Sequence, residues 1–348
     1  MGRPLIYICA VTLIVLGLIQ INLNNRHIAL AKRTATYANE VEARNMAHSG
    51  VEVTLNRLRD DPTWRNNYKP YSVPLDYGTA SVMIQDNTTN PSLGSDELRL
   101  ESNVPFQEKT VMVAYRVQII YPELPNIPAA LTITDDKFLA NLYGSFDING
   151  NDESGTTDPI LGISVMDTDS ETKLMDGTDK PENITGFGGS PSVDVNQTVD
   201  FDDVEYLIDQ LAPNATYLNG QYTTNLGSPG NPGVFFVKDY AKITSNVNGY
   251  GILVVRKTGD LDIATLDLKG TFNFYGLVVF ENAWSFQGQG TATIHGSVLV
   301  GSPDGSSDIN IEIGGNLQIY YNQFAMSYAE EAAKMNIPAT FKVVDIYE

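Results

Sequence analysis

Apolar residues run without a charge from Leu5 to Ile19, and Gln20 to Leu23 extend the stretch; a bilayer-spanning helix needs roughly 20 such residues. Pro4 stands in the first turn, where its missing N–H costs nothing. Beyond Leu23 the pattern turns periodic. Ile28, Ala31, Ala35, Ala38, Met46, Val51, Leu55 and Leu58 recur at steps of about three and four, with Arg, Lys, Asn and Glu between them, the signature of an amphipathic helix. No proline follows until Pro62, and Gly50 is the one glycine of the periodic stretch. The pattern predicts a single helix from Pro4 to Asp60, about 85 Å long at 1.5 Å per residue. Its alanines allow close helix approach. Val51, Leu55 and Leu58 are expected to face the chain's own body, and the earlier part to face neighbouring copies.

After a turn-rich connector at 62–78, three strands are predicted: Ala80 to Gln85, Glu97 to Ser102 and Thr110 to Ile120. Their β-branched and aromatic residues suit a small antiparallel sheet. PELPNIPAALTI reads as a linker. The rest repeats one theme, a glycine, an apolar triplet and a polar turn, with Gly251, Gly276 and Gly296 spaced 25 and 20 residues apart. That period suits coils of a parallel β-helix better than an antiparallel sandwich, whose turns recur every 8–12 residues or so. Two helices are predicted, at 202–211 and from Met326 to Met335, before a last strand. The fold class expected is α+β, mainly β, in three parts: a transmembrane and amphipathic stalk at 1–61, an antiparallel module at 62–122 and a β-helix-like domain at 123–348.

Charge narrows the function classes. The formal charge is −20, yet residues 1–60 hold seven Lys and Arg against four Asp and Glu, so the acidity belongs to the body. Such a body repels phosphate backbones, which excludes nucleic acid as a partner. Cys9 is the sole cysteine and falls in the apolar run, so no internal disulfide forms, and three scattered histidines build no zinc site with it. No phosphate loop, nucleophile elbow or H-E-x-x-H occurs; no enzyme activity and no cofactor are expected. One loop has the chemistry of a calcium site: Asp147, Asn149, Asn151 and Glu153 alternate oxygens along a glycine-containing turn. A second acidic loop holds Asp167, Asp169, Glu171 and Asp176. Four N-x-[ST] triplets, at Asn87, Asn183, Asn196 and Asn214, read as chance in turns rich in Asn and Thr.

The apolar start followed by AKRTATYANEVEARNMAHSGVEVTLNRL resembles the type IV pilin-like proteins, and more closely the minor-pilin or pilus-assembly proteins of the PilX type. Gly249 to Val255, Gly259 to Leu261, Gly276 to Val279 and Gly296 to Val300 are similar to elements of the C-terminal domain of those proteins. So are Ile148 to Asp152, the FGGSPSV stretch and the closing helix and strand. The sequence departs from the family in having no short basic leader before a Gly-Phe-type cleavage site and no glutamate at the fifth position of the apolar run. The resemblance implies a subunit inserted in the inner membrane with its body outside, self-associating or joining other pilin-like subunits through the helix. A permanently anchored surface protein with a glycan or cell receptor is the alternative.

Overall fold

The computed structural model describes residues 3–106, 109–199, 201–256, 265–268, 270–281, 284–286, 291–301, 309–313 and 316–348. The chain divides into two compact units, Met1–Ile120 with Ala339–Glu348, and Tyr121–Pro338. The boundary expected at 122 therefore falls two residues earlier, and the last ten residues leave the second unit to join the first. The stalk and the antiparallel module share one unit.

In the first unit, α1 (Arg3–Asp60) runs unbroken for 58 residues, about 87 Å. Strands β1 (Tyr71–Leu75), β2 (Gly78–Gln85), β3 (Glu97–Phe106) and β4 (Lys109–Ile120) form an antiparallel sheet in that order, closed beyond β4 by the C-terminal strand Thr340–Tyr347. β1 lies inside the stretch read as connector; its Pro74 is tolerated because β1 is an edge strand. The last third of α1 lies on this sheet and buries Ala43, Ala47, Val51, Leu55 and Leu58, one stripe at helical spacing. Gly50 marks the closest approach. A Cβ there would stand 2.7 Å from Ala80 Cβ and 2.9 Å from Ser102 Oγ, so this glycine serves packing and leaves the helix intact.

The second unit contains β5 (Ala129–Ile133), β6 (Phe138–Leu142), β7 (Asp147–Asn149), β8 (Leu161–Val165), β9 (Ile184–Thr185), β10 (Val193–Val195), β11 (Thr216–Tyr222), β12 (Gly233–Ile243), β13 (Val247–Arg256), β14 (Thr265–Leu268), β15 (Thr271–Glu281), β16 (Trp284–Phe286), β17 (Thr291–Gly301), β18 (Ile309–Ile313) and β19 (Asn316–Tyr320). Helices α2 (Thr168–Asp176), α3 (Phe201–Leu211) and α4 (Gln323–Asn336) accompany them. Every pairing between these strands is parallel. The unit is thus a β-helix-like stack of rungs.

The order of stacking departs from the order of the sequence. Rungs β11, β12, β13, β15 and β17 follow one another, and β17 then receives β5, β8 and β10. In the same way β18 pairs with β6 and β19 with β7. The coil that opens the unit therefore lies against the coil that closes it. β5 falls in the predicted linker, and all five of its residues are buried.

Glycine sets the corner of each rung. Gly251, Gly276 and Gly296 pair in register, with φ of +119°, +137° and +134°. A Cβ on Gly276 would stand 2.0 Å from the carbonyl oxygen of Gly251. Before the corner, buried residues alternate with half-exposed ones; after it Ile252 to Val255 are all buried. That run is buried on both faces, as strands covered by helices are, and α4 packs across β12, β13, β15 and β17. The element at Gly259 to Leu261 lies outside the described residues.

Candidate functional site

Two surfaces carry the residues that the sequence singles out: the stalk, in the first unit, and the acidic turn after β7, in the second. From Tyr7 to Glu42 no residue of α1 is buried, and all but Gly17 are exposed. The exposed side chains include Ile14, Leu18, Ile21 and Tyr37. The most apolar 18-residue window of α1 has a mean hydropathy of 1.8, and α1 is the one helix among the described residues long and apolar enough to cross a membrane. Burial begins abruptly at Ala43, where a groove of about 510 Å³ opens between the helix and the β1–β2 turn, lined by Ala43, Met46, Tyr77 and Pro105.

A clasp fixes the buried third of the helix. Arg44 donates to Glu348 Oε2 at 2.9 Å, His48 Nε2 lies 3.3 Å from Glu348 Oε1, and His48 Nδ1 is 3.0 Å from the Tyr115 hydroxyl. Arg44 and Glu348 are 304 residues apart in sequence, and no local pattern links them.

In the second unit, β7 holds Asp147 and Asn149 on one side of the rung, with Ile148 buried between them. The Tyr320 hydroxyl donates to Asp147 Oδ2 at 2.9 Å. Asn149 Oδ1 accepts from the backbone and side-chain nitrogens of Asn151 at 2.9 and 2.7 Å. Glu153 Oε2 meets His295 Nδ1 at 2.6 Å and Asn322 Nδ2 at 3.2 Å. The structure so joins Asn149 to Asn151 but sends Asp147 and Glu153 to separate partners. Among the described residues no three His, Cys, Asp or Glu side chains converge to hold a metal ion.

Asp152, which the sequence pattern passes over, organises this turn. Its carboxylate accepts from the backbone nitrogens of Ser154, Thr156, Thr157 and Gln323, the last at 2.9 Å. Burial pushes its carboxyl up, but these bonds outweigh it and hold the group well below the usual carboxylate range. The second acidic stretch is helix rather than loop. Asp167 caps α2 by accepting from Ser170 N at 2.7 Å, and Asp169 and Glu171 occupy its first turn, where the helix dipole favours negative charge.

One further charged group was not legible. Glu281, 2% exposed, faces Arg256 one rung away, with Arg256 Nε 2.7 Å from its Oε2 and Arg256 Nη1 donating to Asp209 of α3 at 3.0 Å. Burial pushes the Glu281 carboxyl up to about 7, against the pull of Arg256. Arg256 cannot offset more because it is shared with Asp209, whose own charge raises Glu281 further.

No family model matches the chain, and no curated protein matches it. Among solved structures it is similar to the competence-associated pilin ComZ from Thermus thermophilus, at 12% identity over 89% of this chain and 97% of that one, with a TM-score of 0.26. At that score the likeness bears on neither fold nor function.

Proposed function

We propose that the chain is a structural subunit of a type IV pilin-like filament, of the minor-pilin or assembly-factor kind, with α1 in the filament core and the β-rich units outward. The observation that carries this reading is the unbroken helix with two fates. Its final third buries one face on the sheet of its own unit, while no residue from Tyr7 to Glu42 is buried. An apolar segment of bilayer length explains the first part of that exposure. It does not explain the alanine-striped continuation from Ala29 to Ala38, which lies beyond a bilayer's thickness. Close packing against other helices does. The subunit waits in the inner membrane with its body extracytoplasmic and acts without catalysis.

Ala35→Asp tests this. Ala35 is exposed, so the variant should melt like the parent yet fail to enter filaments, as seen by electron microscopy of sheared cell-surface material. Normal filaments containing the variant would leave the helix as a plain membrane anchor.

A further inference from the structure

Upstream of the glycine corner, the rungs present two rows of side chains on the outer face of the sheet, half-exposed except for the buried Thr293, alternating with buried Phe274, Ile294 and Ile319. In one row Tyr250, Tyr275, His295 and Tyr320 are in register. Tyr250 and Tyr275 stack with centroids 5.0 Å apart and an interplanar angle of 9°; Tyr275 and His295 stack at 4.5 Å and 6°. In the row beside it Asn273 donates to Asn248 at 3.1 Å and Thr293 to Gln318 at 3.1 Å. From α4, Tyr328 meets Tyr250 edge-on at 5.4 Å, and Phe324 meets Tyr328 at 5.4 Å and 79°.

Stacked rings and bonded amides stabilise the coil, and that accounts for part of this face. It does not account for two features. The hydroxyls of Tyr250, Tyr275 and Tyr328 have no hydrogen-bond partner among the described residues. Phe324 is 62% exposed and stands outside the ring stack, its ring meeting that of Tyr328 edge-on. Among the described residues, neither row contains a Lys or Arg. Its carboxylates, Asp147 and Glu153, are engaged at one end by Tyr320 and His295.

We infer that this face binds a neutral glycan chain: the Phe324 ring stacks on a sugar face, and the free tyrosine hydroxyls and the amide row hydrogen-bond the hydroxyls of successive sugars. The chemistry selects the ligand. Ring faces and neutral donor–acceptor groups suit a surface that is polar by hydroxyls and apolar by C–H. An acidic body without a cation on this face disfavours uronate or phosphate polymers. Rungs repeat about every 4.8 Å, close to the length of one hexose in an extended chain, so neighbouring rungs address neighbouring sugars. The inference does not depend on filament assembly.

The full chain in detergent, passed over immobilised cellohexaose, chitohexaose and hexagalacturonate, tests it. Binding to a neutral probe is expected. Phe324→Ala should weaken it roughly tenfold, as losing a ring contact and its area does, and Tyr275→Phe, which keeps the stack and removes one hydroxyl, by about threefold. Tyr206→Phe, an exposed tyrosine of α3, should leave it unchanged. Circular dichroism melting shows whether each variant is folded; should Phe324→Ala unfold, Tyr275→Phe decides. Absence of binding to both neutral probes overturns the inference, as does wild-type affinity in the deciding variants, or hexagalacturonate binding as tight as the neutral probes.

Discussion

In the sheet unit one helix face covers one sheet face, and the core is made where the two meet; in the coil unit each rung covers the next, and the core is made by repetition. The first kind of core tolerates local adjustment, because a helix can shift on its sheet. The second transmits any misfit along the stack, because in-register backbones have no slack at the corners. Trp64 belongs to the first unit and Trp284 to the second. Single-tryptophan variants therefore report the melting of each separately.

The largest effect is expected at the glycine corner. In Gly276→Val the new Cβ would meet Gly251 O at 2.0 Å in a backbone with φ of +137°. Steric misfit and left-handed strain together should cost about 4 kcal/mol or more. The Trp284 transition should fall steeply in denaturant while the Trp64 transition holds. An unchanged Trp284 midpoint would show that the rungs do adjust.

Leu58→Ala is the counterpart in the sheet unit. Leu58 is fully buried, and truncation should cost about 3 kcal/mol. The Trp64 transition should move and the Trp284 transition should not. If both moved together, the two units would unfold as one.

Between pH 4.5 and 7 the two units should respond differently, because, among the described residues, only the coil holds a carboxyl raised into that window. Glu281 is raised in the fold from 4.5 to about 7, so the fold prefers its protonated form. Its contribution is full below about pH 4.5 and is lost as pH rises through 7, by at most about 3 kcal/mol. In the sheet unit, burial pushes Asp86 up, but Arg65 at 2.9 Å, Thr89 N and the Tyr68 hydroxyl hold it below its usual 3.8. That contribution is present above 3.8 and is lost as pH falls below it. Between pH 4.5 and 7 the coil should therefore weaken while the sheet unit stays level. Glu281→Gln should flatten the coil's profile; a slope surviving in that variant would assign the effect to another group.

The same contrast governs what could be read in advance. Helical periodicity is local, so α1 and α3 (Phe201–Leu211) were legible to within a residue or two. The glycine period showed that rungs exist, and Gly251, Gly276 and Gly296 do stack. It could not show that β5 lies on β17, because that pairing joins residues far apart in sequence. The acidic turn reads from composition, and its organiser Asp152 sits within it but off the alternating positions; its partners Tyr320 and His295, on other rungs, and Asn322, at the start of α4, are brought near only by the stacking. Asp167 reads as a loop residue because caps and turns favour the same side chains. Glu281 gives no signal, since a charged residue at the end of an apolar run reads as outward.

The smallest effect tests one residue that serves both the coil and its acidic turn. Asn322 caps α4 by accepting from Ala325 N at 2.8 Å, and its amide donates to Glu153 at 3.2 Å. Asn322→Ala removes both and should lower the Trp284 transition by about 1 kcal/mol. Asn322→Asp separates them: the carboxylate caps as well as the amide does, but it has no donor for Glu153 and adds a like charge beside it. If the cap carries the effect, the Asp variant should melt near the parent. If the link to Glu153 carries it, the Asp variant should melt below the Ala variant, and α4 would then be held on the coil through the acidic turn rather than by its own helix start.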